Sequence, residues 1–171
     1  LLLSASAGES LDADTCVDIV SSPGFRAPHL FSETERVQIM PDGLCAYHNS
    51  VIHNIGLRAW QQLGNDEKVT RASQVRFDFI TFLRCNGREN IADRVAIDGS
   101  AGYPGVDEFD DLGNFLDAEI RVHGLCHDPS VYSDYGRIGG RRLVLLSVAV
   151  KDGAGHESDH YDHMNIVSLM E

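Results

Sequence analysis

The sequence has few basic residues and no long apolar run. Its 171 residues include 14 Lys and Arg against 26 Asp and Glu, for a formal net charge of −12. This excess of negative charge argues against nucleic acid or an anionic membrane as the main partner. No apolar run reaches the ~20 residues of a membrane-spanning helix. The acidity suits a substrate with a basic face, or it serves only solubility, and both alternatives stay open.

Cysteines are also few. The four of them, at positions 16, 45, 85 and 126, lie far apart and form no C-x-x-C motif. This pattern excludes a dense disulfide framework and favours free thiols in a reducing compartment. We therefore predict a cytoplasmic location and no cofactor. The first residues, Leu1-Leu2-Leu3, lack the basic start and the apolar core of a signal peptide.

The composition, 43% hydrophobic and 23% charged, is typical of a soluble globular protein. The length suits a single, monomeric domain over 1–171. Within it we expect a loose tail at 1–10 and an N-terminal extension at 11–40, with a helix at 11–20 and a short strand at 37–40. We assign no chemistry to these forty residues. The chain does not begin with methionine, which leaves open an origin in a longer polyprotein.

Hydrophobic periodicity predicts an α+β domain with a small, mostly antiparallel sheet. Helices are expected at 45–63, 67–84, 88–97 and 107–118, and strands at 119–123 and 141–150. We expect 141–150 to be the central strand. Glycines make 98–106 a surface loop, and 127–140 is expected to be a turn-rich connection.

The segment Pro41-Asp42-Gly43-Leu44-Cys45-Ala46-Tyr47-His48-Asn49-Ser50 carries the first chemical signal. Pro41, Asp42 and Gly43 favour a turn, with Asp42 as a helix cap. Cys45 falls in the first helical turn, where free N–H groups and the helix dipole stabilise a thiolate. The N–H groups of Asp42, Gly43 and Leu44 are candidates for an oxyanion hole. The segment therefore predicts a nucleophilic cysteine.

A candidate base follows near the other end of the chain. His160-Tyr161-Asp162 lies between two apolar, β-prone runs, and residues two apart on a strand point to one side. A carboxylate beside an imidazole fixes its tautomer, as in a Cys-His-Asp triad. We predict His160 as the base and Asp162 as its orienting group, with His163 as the alternative base.

These two motifs resemble those of the ovarian-tumour (OTU) family of cysteine proteases, and the cysteine segment resembles most its viral branch. The resemblance implies a papain-like fold with helices flanking the sheet, the catalytic cysteine at a helix N-terminus and the catalytic histidine on a strand-edge loop. It implies cleavage after the C-terminal glycine of ubiquitin or a ubiquitin-like modifier, in the host cytoplasm if the protein is viral. It makes Cys45, His160, Asp162 and Asp42 the catalytic residues. Loop 98–106 becomes a candidate wall for the ubiquitin tail.

The sequence departs from the family pattern in three places. Leu44 stands where the family has asparagine, and Ala46 replaces a larger residue. Family members usually carry a tryptophan or another marked aromatic residue ahead of the last helix, and here the candidates are Tyr103 and Phe109. Three interpretations stay open: a deubiquitinase, a protease that cleaves its own polyprotein, and a ubiquitin-binding module with little turnover.

Each candidate residue can also be explained by a purely structural role, without catalysis. A cysteine at a helix start is often a small buried apolar residue, and we assign Cys16, Cys85 and Cys126 as core or surface thiols. His48 is expected to serve packing and His53 to lie on the helix surface. The side chains of His156, Asp159, His160, Asp162 and His163 form a dense set of possible zinc ligands. Its spacing matches no standard zinc motif, and we predict no metal.

Overall fold

The structure, a computed structural model, describes residues 34–124, 131–151 and 157–166. The tail expected at 1–10 and the helix expected at 11–20 lie outside them. The described residues form an α+β structure, which confirms the predicted class. Its helices are α1 (Cys45–Ile55), α2 (Leu57–Gln61), α3 (Asn65–Cys85), α4 (Glu89–Val95) and α5 (Phe109–Leu116). Its strands are β1 (Thr34–Val37), β2 (Ala118–Gly124), β3 (Tyr132–Gly136), β4 (Arg141–Lys151) and β5 (Glu157–Ile166).

The strands form one sheet in the order β1-β5-β4-β2-β3, with β4 central as predicted. Strand β5 pairs antiparallel with β1 on one edge and with β4 on the other. Its register places His160 opposite Val148 of β4, and Asp162 opposite Leu146. Met164 lies opposite Arg36 of β1. Because alternate residues share a face, His160, Asp162, Met164 and Arg36 all belong to one face of the sheet.

Contacts divide the chain into two compact units. The strand unit comprises Leu1–Gln38, Val122–Ser133 and Val144–Glu171, and the helical unit comprises Ile39–Arg121 and Asp134–Leu143. The organisation of the whole chain as one domain stays a prediction. Among the described residues, no helix is both long and apolar enough to cross a membrane.

In the helical unit, α1 and α3 share an aromatic core. Tyr47 of α1 and Phe79 of α3 are fully buried, with ring centroids 6.4 Å apart. Phe115 of α5 packs 5.6 Å from Phe79. The apolar spacing along α1 and α3 therefore brings the helix that begins at Cys45 against the longest helix of the unit.

The single helix expected over 45–63 is wrong, because Gly56 divides it into α1 and α2. Gly56 has φ of 93°, a left-handed value that ends α1. Its carbonyl accepts a hydrogen bond from the Trp60 amide at 3.1 Å, which starts α2 at once. The apolar period continues across the break to the buried Trp60, so the pattern alone predicts one helix.

Other boundaries also differ from the prediction. The strand expected at 37–40 lies at Thr34–Val37, and a 3₁₀ turn at Val106–Glu108 precedes α5. The connection expected at 127–140 contains strand β3, which was missed. Strand β3 is at the end of the sheet and has a short, polar sequence, YSDYG, without apolar alternation. An ion pair between Arg121 of β2 and Asp134 of β3, with atoms 2.8 Å apart, ties the two strands together.

His53 gives a test of the helical unit. Its pKa is lowered to about 4, first by burial and then by the positive charge of Arg141, which also hydrogen-bonds the His53 carbonyl. The folded state therefore disfavours the protonated imidazole, and the unfolded chain, with an ordinary pKa near 6.5, takes up the proton first. This contribution is fully present above pH ~7 and is lost as the pH falls toward 4.

The free energy of unfolding should fall between pH 7.5 and pH 4.5 in both proteins. We expect this fall to be about 1 kcal/mol smaller in His53→Gln than in the wild type, after allowance for the partial solvent access of His53. The measurement is the free energy of unfolding in urea at both pH values. Asn54→Gln, at the exposed neighbouring position, should retain the wild-type dependence. An identical pH dependence in the two variants would show that His53 carries no such contribution.

Candidate active site

The turn before α1 is organised by Asp42. Its Oδ1 accepts a hydrogen bond from the Leu44 amide at 3.0 Å, and its Oδ2 lies 2.9 Å from Nε2 of His48. A carboxylate only accepts, so Nε2 of His48 carries the proton. Asp42 was expected to cap the helix, but the N-cap residue is Leu44 and no side chain caps α1. Asp42 therefore shapes the turn by an i to i+2 bond and by its bond to His48.

The hydrogen bond from the Leu44 amide to Asp42 changes the set of possible oxyanion donors. The Leu44 amide, predicted as one of them, is already engaged by Asp42. Within the described residues, the amides of Gly43 and Cys45 donate no hydrogen bond. The Asp42 amide also donates none among these residues, so the amides of Asp42, Gly43 and Cys45 are the remaining donors of the turn. Cys45 begins the helix, and the first helical N–H groups have no partner inside the helix.

Gly43 is held against Tyr103. Its φ is 82°, which favours glycine, and a Cβ atom added there would lie 2.5 Å from the Tyr103 hydroxyl. Tyr103 thus packs directly on the backbone of the turn. Of the two aromatic residues considered from the sequence, Phe109 is instead fully buried and packs edge-on against Tyr135 at 5.9 Å.

A pocket of about 400 Å³ opens beside the turn, within the helical unit. Part of loop 98–106 lines it, together with the turn and α3, and its walls include Asp42, Gly43, Leu44, Arg76, Ile97 and Tyr103. Arg76 is held there by hydrogen bonds from its Nη2 to the carbonyls of Val95 and Ile97 at 3.0 and 3.1 Å. The loop therefore lies next to the cysteine turn. Its role as a wall for a substrate tail stays a prediction.

Cys45 is the first residue of α1 and is only 9% exposed. Its carbonyl accepts a hydrogen bond from the Asn49 side chain at 2.9 Å, and Ser50 bonds the Ala46 carbonyl at 2.8 Å. These two side chains bond the carbonyls of the first helical turn. The other described cysteine, Cys85, is exposed at the C-terminal end of α3. Cys16 and Cys126 lie outside the described residues.

His160 and Asp162 are in direct contact, as strand alternation suggested. Nε2 of His160 lies 2.9 Å from Oδ1 of Asp162. The carboxylate accepts, so the proton is on Nε2, and in the neutral ring Nδ1 carries the lone pair. The imidazole side chain is 14% exposed and the carboxylate 2%. The resemblance implied a strand-edge loop for this histidine, which is wrong, because His160 lies inside β5.

Arg36 completes this cluster and was missed in the sequence. Its Nε and Nη2 donate to Oδ2 of Asp162 at 2.9 and 2.7 Å. A residue from the first forty, to which the sequence assigns no chemistry, thus contacts one of the candidate residues. The contact spans 126 positions of sequence, and the only local signal was an arginine in a short apolar stretch, which has no specificity.

The remaining histidines take different positions. His163 is buried on β5, and its odd separation from His160 puts the two on opposite faces of the strand. His48 is fully buried and packs edge-on against Trp60 at 5.9 Å, in keeping with the packing role expected. His53, expected on the helix surface, is half-buried.

A zinc site also depends on His156, which lies outside the described residues. In the part of the chain that the structure describes, no group of three or more His, Cys, Asp or Glu side chains is placed to hold a metal ion.

The candidate residues thus fall into two groups. Asp42, Gly43, Leu44 and Cys45 belong to the helical unit, and His160 and Asp162 belong to the strand unit. Each group has an internal geometry of the kind that acyl-transfer chemistry needs. The approach of the Cys45 thiol to His160 is part of the proposal below.

Comparison with known proteins adds no assignment, since the chain matches no protein-family model and no curated sequence. The OTU resemblance consequently stays a prediction based on the motifs themselves.

The contact between Gly43 and Tyr103 gives a second test. We expect Gly43→Ala to reduce the free energy of unfolding by about 1 to 3 kcal/mol, because alanine is strained at positive φ and its Cβ displaces Tyr103. The double variant Gly43→Ala/Tyr103→Ala removes the steric conflict but not the backbone strain. It should therefore show a smaller loss than the sum of the two single variants.

The control is Gly105→Ala, in the loop that carries Tyr103, where φ is −123° and a Cβ meets no atom within 4 Å. Its stability should stay within about 0.5 kcal/mol of the wild type. Equal stability of Gly43→Ala and Gly105→Ala in urea would contradict the described packing of the turn.

Proposed function

We propose that this protein is a cysteine protease of OTU type that hydrolyses isopeptide bonds after the C-terminal glycine of ubiquitin or a ubiquitin-like modifier. Cys45 is the nucleophile, His160 the general base and Asp162 its orienting group. The papain-like arrangement of the whole chain and its action in the cytoplasm belong to the same proposal.

The observation that carries the proposal is the contact between His160 and Asp162. A histidine whose Nε2–H is fixed by a buried carboxylate presents the lone pair of Nδ1 for proton transfer. The carboxylate also stabilises the imidazolium that forms when the ring accepts a proton. Because both side chains come from one strand, the pair keeps this geometry without help from a loop.

The cysteine turn supports the other half of the proposal. Cys45 sits at the positive end of an 11-residue helix, where the first N–H groups have no partner inside the helix. The Gly43 and Cys45 amides, on either side of Leu44, are available for an oxyanion. Asp42 fixes the backbone between them through the Leu44 amide, at 3.0 Å.

The mechanism follows from these roles. His160 Nδ1 takes the thiol proton, and Cys45 Sγ attacks the carbonyl carbon of the terminal glycine. The C–N bond to the substrate lysine then breaks, and His160 returns the proton to the departing amine. Water attacks the resulting thioester with His160 as base. This step releases the glycine carboxylate and restores the thiol.

A second candidate is a ubiquitin-binding module with little turnover. The observations that favour it are the low exposure of Cys45, at 9%, and the loss of the Leu44 amide as an oxyanion donor. Loss of one such donor costs typically about 100- to 1,000-fold in rate. Binding of ubiquitin without covalent capture would distinguish this candidate from the protease.

The test is reaction with ubiquitin that carries a C-terminal propargyl or vinyl electrophile. We expect a covalent adduct with the wild type, none with Cys45→Ala, and an adduct formed at least about 100-fold more slowly with His160→Ala. Intact-mass spectrometry and peptide mapping identify the modified residue.

Cys85→Ala is the matched control, because Cys85 is the exposed thiol of the described residues. This variant should form the adduct at the wild-type rate. An adduct on Cys85 would mean that simple accessibility, and not an activated thiol, explains the labelling. No adduct from folded wild type would reject the deubiquitinase proposal, and cleavage of a peptide from the chain's own precursor would then favour the polyprotein protease.

A further inference from the structure

We infer that Arg36 of β1 is a positioning residue for the histidine base: it clamps one oxygen of Asp162 so that the other is held on His160. This inference rests on the proposed function for its catalytic meaning. The clamp itself is a property of the strand unit and has a readout that needs no substrate.

The two oxygens of Asp162 contact different partners. Oδ2 accepts hydrogen bonds from two nitrogens of Arg36, Nε at 2.9 Å and Nη2 at 2.7 Å. Oδ1 lies 2.9 Å from His160 Nε2. A carboxylate bonded at both oxygens cannot rotate about its χ2 angle without losing one partner, so Arg36 fixes the plane in which Oδ1 meets the imidazole.

Burial explains why a cation lies beside Asp162. The Asp162 side chain is 2% exposed and that of Arg36 18%. A carboxylate so far from water is unfavourable when ionised unless a cation and hydrogen bonds compensate for the lost hydration. On the described strands beside it, β4 places Leu146 opposite Asp162 and Val148 opposite His160, and neither carries a charge. Arg36 is the cation that β1 contributes to this face.

Strand pairing explains how Arg36 reaches the carboxylate. Arg36 lies opposite Met164, and Asp162 is two residues before Met164 on the same face of β5. The two charged residues are thus diagonal neighbours, a separation that a long side chain spans. A shift of β1 by one residue would turn Arg36 to the other face. The pairing of β1 with β5 therefore sets the orientation of the base.

The first experiment measures the His160 tautomer by ¹⁵N NMR of the imidazole in the free protein at pH 9. In the wild type we expect the form with the proton on Nε2. In Arg36→Gln we expect a mixture of the two tautomers, because Oδ1 no longer holds Nε2–H in place. Arg36→Lys should disturb the tautomer less than Arg36→Gln, since an ammonium group can still donate to Oδ2 although it lacks the fixed pair of guanidinium donors.

The second experiment measures the rate of adduct formation with the ubiquitin electrophile. We expect Arg36→Gln to react about 10- to 100-fold more slowly than the wild type, and Arg36→Lys within a few-fold of it. Asp162→Asn should slow the reaction more than Arg36→Gln, because it removes the carboxylate that contacts the imidazole, and the double variant should lose less than the product of the two single effects, since both act through the same imidazole. Glu35→Gln, an exposed neighbour on β1, controls for substitution in that strand and should behave like the wild type.

The outcomes separate this inference from the proposed function. If the wild type forms no adduct but Arg36→Gln loses the Nε2–H tautomer, the clamp stands and the proposed function fails. If Arg36→Gln keeps the wild-type tautomer and a rate within two-fold, Arg36 is not a positioning residue, whatever happens to its melting temperature. Should Arg36→Gln fail to fold, Arg36→Met decides, because it keeps the apolar stem and removes the donors: an unchanged Nε2–H tautomer in that folded variant would overturn the inference, and a mixture would support it.

Discussion

The buried carboxylate of Asp162, on the interior strand β5, is the constraint on which the strand unit depends. Strand β5 is paired on both edges, and Asp162 in its interior is almost completely removed from water. A buried apolar residue loses no favourable hydration, whereas a buried ionised carboxylate does. The neighbours of Asp162 must therefore compensate for this loss. The compensation comes from Arg36 on β1 and from His160 on β5 itself. The register between β1 and β5 is therefore fixed by charge as well as by backbone hydrogen bonds.

The cysteine turn is also organised by an aspartate, but the partners of this aspartate are close in sequence. Asp42 also uses both oxygens, one on a backbone amide two residues ahead and one on a histidine six residues ahead. All three groups lie within one turn and the start of α1, so no distant strand is needed. Because the turn also requires the left-handed Gly43 beneath Tyr103, its backbone is held from both sides. The position of Cys45 is set by this turn and not by the helix alone.

The sequence predicts best what depends on neighbouring residues. The start of a helix at Cys45 follows from Pro41, Asp42 and Gly43, and the shared face of His160 and Asp162 follows from strand alternation. The helix break at Gly56 was missed because a single glycine leaves the apolar period intact. Arg36 was missed for a different reason: its partner lies 126 positions away, and only the pairing of β1 with β5 brings them together. Local patterns carry no information about such pairing.

The two aspartate–histidine pairs also differ in a way that bears on the proposed base. His48 is only three residues from Cys45, yet its side chain is 0% exposed while its partner Asp42 is 29% exposed. In the other pair the order is reversed, with the imidazole of His160 more exposed than Asp162. A general base must exchange protons with the reacting groups, so its imidazole, and not its carboxylate, has to face them. His48 has the buried imidazole of a structural pair, with Nδ1 lacking a hydrogen-bond partner among the described residues. The greater exposure of its imidazole thus supports the proposal of His160 as the base, whereas the buried imidazole of His48 stabilises the turn through Asp42.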